Sequence, residues 1–160
     1  MSDIRYTNQA DLIAALIDER DALSNIIEQF DDNAWHTYRR SDGWSAHDIA
    51  AHLADANYGL ALMVLGEVQP SMPLNDQNWM DVDDYNEQRR QKNASLTKAK
   101  IASRLASSFA HAERAIQTIA DLNAPGPYGP VHTKGQWLNR IVIHSHMHRS
   151  ELEELLKGAA

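Results

Sequence analysis

Ile143-His144-Ser145-His146-Met147-His148 can be read in two ways, and the choice decides the fold. As a strand, the alternation would place all three histidines on one face. As a helix, it splits them. The flanks favour the helix, because Leu138, Ile141, Val142, Leu152, Leu155 and Leu156 keep steps of three and four on both sides. At about 100° per residue, His144 and His148 then lie roughly 40° apart at one edge of the apolar stripe. His146 points away, toward Glu153 and Lys157. Thr133 with Gln136 forms a capping box that starts this helix, and Gly158 ends it.

Three further segments carry the same period, and no segment makes a convincing strand. The first spans about 7–30, with Thr7 as expected N-cap and Leu12, Leu16, Leu23, Ile26, Ile27 and Phe30 on its apolar face. Asp31-Asp32-Asn33 breaks it. The second spans 46–66, with Ser45 and Asp48 as a capping box and Gly66 as stop. Residues 67–82 hold Pro70 and Pro73 and read as a long, lid-like loop. The third segment spans 83–122 and bends around 93–95, where Ser95 is the expected cap. Residues 123–132, with Pro125, Gly126, Pro127, Gly129 and Pro130, read as loop. Four amphipathic helices of roughly 20 residues define an all-α, four-helix bundle. Periodicity leaves open whether the connection is simple up-down or a crossover.

The chain has 160 residues, which suits one domain over 1–160. Apolar residues are 43% and charged residues 23%, the balance of a globular protein with a core. A formal net charge of −7 argues against nucleic-acid and anionic-membrane binding, which need basic surface. With no cysteine, disulfides, thiolate-bound metals, iron–sulfur clusters and a protein thiol nucleophile are excluded. No apolar run is long enough to span a bilayer, and Met1-Ser2-Asp3-Ile4-Arg5 lacks the features of a signal peptide, so a cytoplasmic protein is expected.

Eight histidines are the unusual feature. Two at i, i+4 on a helix can bind one metal ion. His52, beside Ile49, Ala56 and Met63 on the second helix, can supply a third imidazole, whereas His47 falls on the opposite, solvated face. Three neutral histidines with an open position would make a catalytic metal site. The spacing alone fits ordinary hydrogen-bonded, half-buried histidines equally well.

The run Gly43-Trp44-Ser45-Ala46-His47-Asp48-Ile49-Ala50-Ala51-His52-Leu53-Ala54 resembles a signature of the DinB/YfiT-like superfamily. His144-x-x-x-His148, followed by Leu152 and Leu155, is similar to that superfamily's second signature. Asp83-Asp84-Tyr85-Asn86, followed by Arg89-Arg90, resembles a segment opening a helix in some members. The resemblance implies a four-helix bundle in which His52, His144 and His148 hold a divalent ion. It also implies a reaction among those of the superfamily: low-molecular-weight thiol transfer, as in the bacillithiol S-transferases, mycothiol-dependent maleylpyruvate isomerisation, or hydrolysis of reactive metabolites.

Around such a site, Asp55 and Glu151 are the candidate bases or orienting groups, and Asp48 reads as a helix-start carboxylate. Trp79, Tyr85 and Trp137 are candidates for the substrate pocket, while Trp44 is expected to pack at the start of the second helix. Gly59 leaves room for a ligand or for close packing. Arg89, Arg90 and Lys92 read first as a solvated face, with contact to an acidic ligand as the alternative. Imidazole ligands suit Zn or Ni. The leading expectation is metal-dependent transfer of an external thiol to an electrophilic small molecule. Metal-dependent hydrolysis and a non-catalytic metal- or metabolite-binding stress protein are the alternatives. A homodimer is expected.

Overall fold

A computed structural model describes residues 5–158, so Met1–Ile4 and Ala159–Ala160 of the expected domain lie outside it. Helix α1 spans Gln9–Gln29, and Asn8 caps it by accepting the Asp11 N–H, one residue later than the expected Thr7. Asp31-Asp32-Asn33 does more than end α1. Asp31 accepts the Ala34 N–H and starts a short helix, α2, over Asp32–Thr37, which buries Ala34 and Trp35. Acidic residues that terminate one helix are also good N-caps for the next.

Helix α3 spans Ala46–Leu65, with both bonds of the Ser45–Asp48 capping box made and Gly66 closing it at φ 77°. The expected third segment is two helices, α4 over Asp83–Asn93 and α5 over Lys98–Thr118. The cap of α5 is Thr97, which accepts the Lys100 N–H, and not Ser95. Helix α6 spans Lys134–Gly158, and its capping box is made in both directions between Thr133 and Gln136.

The Pro/Gly-rich run is not plain loop. It forms a small antiparallel pair, β1 at Pro125–Gly126 and β2 at Gly129–Thr133. Gly126 lies flat against Trp137: a Cβ there would sit 2.6 Å from Trp137 Cδ1 and 2.5 Å from the His132 carbonyl. The pair also holds the long 67–82 loop, with the Tyr128 hydroxyl donating to the Met72 carbonyl at 2.5 Å. The His132 Nε2–H reaches the Asn78 carbonyl at 2.9 Å.

The fold class is all-α, with α1, α3, α5 and α6 as the four long helices of the bundle. Both α1 and α3 pack against α5 and α6, so α1 and α3 lie on a diagonal. The α1-to-α3 and α5-to-α6 connections therefore cross the bundle, whereas α3 and α5 lie side by side. Leu12, Leu16, Leu23, Ile49, Leu53, Ile101, Ile116, Leu138 and Ile141 are fully buried at its centre. Burial of each such side chain stabilises the fold by about 1.5–3 kcal/mol before entropy is counted. One polar bond runs through this core: Asn57 Nδ2 of α3 donates to Ser145 Oγ of α6 at 3.1 Å, and Ser145 Oγ donates to the Ile141 carbonyl at 2.8 Å. A buried polar pair is satisfied in only one alignment, so it sets the register of α3 against α6.

Candidate metal centre

That register brings His52 of α3 to His144 and His148 of α6. His52 Nε2 lies 3.3 Å from His144 Nε2, and His148 Nε2 lies 2.9 Å from the same atom. The three imidazoles offer ligand atoms all within 4.8 Å of one another. Two bonds of about 2.0–2.1 Å meeting near the tetrahedral angle place ligand nitrogens about 3.3 Å apart, so the spacing matches a common metal ion.

The protonation pattern matches as well. His148 Nδ1 is 2.6 Å from Glu151 Oε2, which keeps the proton on Nδ1 and leaves the Nε2 lone pair facing the cluster. Burial first, and the neighbouring His148 second, push His52 down to about 4. Burial holds His144 well below the ordinary histidine value. Both are neutral near pH 7, the form that binds metal. The three histidines can hold a divalent ion.

Both candidate carboxylates are already engaged. Glu151 accepts from His148 and from Arg40 Nη1 at 2.7 Å, and Arg40 also grips Asp42. Burial works to raise Glu151, but the bonds from His148 and Arg40 outweigh it and hold it below the usual carboxylate range. Glu151 is thus placed to orient His148. Asp55 receives Arg89 Nε and Nη2, each at 3.0 Å, and Asn93 Nδ2 at 2.8 Å. Arg89 is therefore not part of a solvated face. Arg90 pairs with Glu87 and lies 3.8 Å from Asp48. Asp48 is the capping carboxylate of α3.

The histidine face opens into a cavity of about 630 Å³, whose lining includes Trp79, Tyr85 and Trp137. Trp79 stacks on His132 at 4.1 Å and meets Trp137 edge-on at 4.8 Å. Tyr85 is exposed at the mouth. Trp44 turns its ring toward His52 at 5.5 Å and also lines the cavity, so its role at the start of α3 extends into the site. Gly59 lines the same cavity, and a Cβ there would meet nothing within 4 Å.

His47 corrects the sequence reading. It is buried, not solvated: Nε2–H donates to the Leu96 carbonyl at 2.9 Å, and the ring meets Trp35 and His36. Helix α2 and the α4–α5 junction cover that face of α3, and neither was visible in the period of α3 itself. His146 is on the surface as expected, although its partners are Glu19 and Arg149, not Glu153 and Lys157. Sequence reasoning also missed Arg40, which reaches the site from the α2–α3 connection, and Arg140, which lines the cavity from α6. For Arg140 the signal was present: it stands four residues before His144, in step with His148.

Among known proteins, no curated protein matches the chain. A crystal structure from Exiguobacterium sibiricum, assigned to the DinB family, is similar in fold, with a TM-score of 0.65 over 93% of this chain and 89% of that one at 16% identity. The family model of the DinB superfamily matches residues 15–152, a span that contains all three site histidines. The chain belongs to the DinB superfamily.

Proposed function

We propose that the protein is a divalent-metal-dependent enzyme that transfers a low-molecular-weight thiol to an electrophilic small molecule, with Zn or Ni as its ion. The observation that carries this reading is a three-histidine face that opens into a cavity while both flanking carboxylates are held by arginines. When bound, the ion lowers the pKa of a coordinating thiol and polarises the electrophile. The chain contains no cysteine, so the sulfur comes from outside. The thiol proton leaves to solvent through the open cavity. The sulfur lone pair forms the new S–C bond as the carbon–leaving-group bond breaks with its electron pair. His148, oriented by Glu151, and His52, packed on Trp44, hold the geometry, while Trp79 and Trp137 give the electrophile an apolar wall.

Hydrolysis is less favoured, because a water nucleophile needs more help from a free base than a thiol does, and Asp55 and Glu151 are both engaged. A purely structural ion is less favoured too, because such sites are closed by four protein ligands and this one has three among the described residues. The test is metal analysis of the native protein, followed by a conjugation assay with a panel of thiols and electrophiles on chelated and reloaded samples. Turnover that requires both metal and thiol is expected. Turnover without thiol would shift the assignment to a hydrolase, and no metal-dependent conjugation in any pairing would reject the proposal.

A further inference from the structure

We propose that Arg140 anchors the carboxylate of a small organic acid, whose apolar body lies along Trp79 and whose other end reaches the face formed by His52, His144 and His148. This rests on the cavity being a small-molecule site, as proposed above, and adds the class of molecule it takes.

Five carboxylates and three guanidiniums line the cavity. Arg40 is bonded to Asp42 and Glu151, and Arg89 to Asp55. Arg140 has no hydrogen bond and no ion pair among the described residues. Its guanidinium carbon lies over the ring of Trp79, 5.5 Å from the ring centroid. The residue is half-buried, and burial without a compensating anion pulls its pKa below the ordinary arginine value, though it remains charged. A charge removed from water without a partner is costly, and the structure leaves one for a ligand to satisfy.

Geometry defines that ligand. A guanidinium placed over an aromatic ring, with no protein acceptor among the described residues, has its N–H fork free, and the fork matches a carboxylate in two parallel hydrogen bonds. Arg140, His144 and His148 recur at four-residue steps along α6, so their backbone positions are each about 6 Å, one helical turn, apart, and all three side chains line the same cavity. A molecule spanning fork and histidines is therefore short. The surplus of acid around the cavity disfavours a dianion such as phosphate and leaves a single negative charge as the best match.

The test titrates 3-phenylpropionate, hexanoate, 3-phenylpropanamide and inorganic phosphate into the full chain, metal-free and zinc-loaded, and reads binding by calorimetry. In metal-free protein at least one acid should bind about tenfold more tightly than the amide, as expected for a charge-assisted pair. Arg140→Gln should abolish that preference by bringing acid binding down to the level of the amide, and Arg140→Lys should retain part of it. Circular dichroism checks that the variants fold, and Arg140→Lys with the wild-type acid–amide comparison carries the test if Arg140→Gln does not. Equal binding of acid and amide, no binding of either acid, tighter binding of phosphate, or a preference that survives Arg140→Gln would each overturn the proposal. A preference seen only with zinc would place the carboxylate on the ion and overturn it as well. Because the decisive arm is metal-free, its outcome is independent of whether thiol transfer is the reaction.

Discussion

At the scale of single residues, His146 and His148 are two positions apart on α6 but have opposite environments. His148 is buried with its Nε2 in the cluster, whereas His146 is exposed and pairs with Glu19. His148→Ala should therefore lose most bound metal, since two protein imidazoles hold an ion poorly, and His146→Ala should retain it. Metal content of the two purified variants decides this, and equal loss would refute the site. The i, i+4 pair was legible in the sequence because both members lie on one helix whose period is local. The burial of His47 was not legible, because Trp35, His36 and Leu96 approach it from elements that the pattern of α3 does not contain. The engagement of Asp55 was hidden for the same reason: Arg89 and Asn93 belong to α4.

At the scale of elements, the capping boxes of α3 and α6 were readable because a cap and its partner are three residues apart. The α4–α5 break was placed almost correctly but capped by the wrong residue, Ser95 for Thr97, since both hydroxyls suit the role and only packing distinguishes them. The Asp48 cap has a pH signature. Burial would raise this carboxyl, but His47, Ser45 and Arg90 hold it at about 2. A group with a depressed folded-state pKa contributes stability above its unfolded value of about 3.9 and loses it as pH falls through the folded value. Asp48→Asn should cost about 1 kcal/mol at pH 7 in urea unfolding, and the gap to wild type should close between about pH 4 and pH 2. A gap that is constant with pH would refute the assignment. Two glycines give opposite expectations. Gly126→Ala forces a methyl into Trp137 and the His132 carbonyl and should destabilise by about 1–3 kcal/mol. Gly59→Ala meets no atom within 4 Å and should stabilise α3 by up to about 1 kcal/mol. Thermal melts of the pair separate the two effects.

At the scale of the whole molecule, no described helix is long and apolar enough to cross a membrane. We propose that the protein pairs as a homodimer, since small bundles with long half-polar helices often associate symmetrically. Light scattering should return twice the chain mass, and a monomer mass that does not change with concentration would reject the proposal. The bundle class was legible because four long periods are local facts, whereas the diagonal placement of α1 and α3 depends on which faces meet. That placement, together with the origin of the ligands, has a consequence for dissecting the protein. One imidazole comes from α3 and two from α6, and the exposed turn at Asn75–Asn78 lies between them in the chain. A cut at that turn yields an amino-terminal fragment with one candidate ligand and a carboxy-terminal fragment with two, so neither carries the full three-histidine set. Metal capture by the mixed fragments would then serve as a chemical signal that the halves have found each other, which makes the fold a ready scaffold for a split reporter.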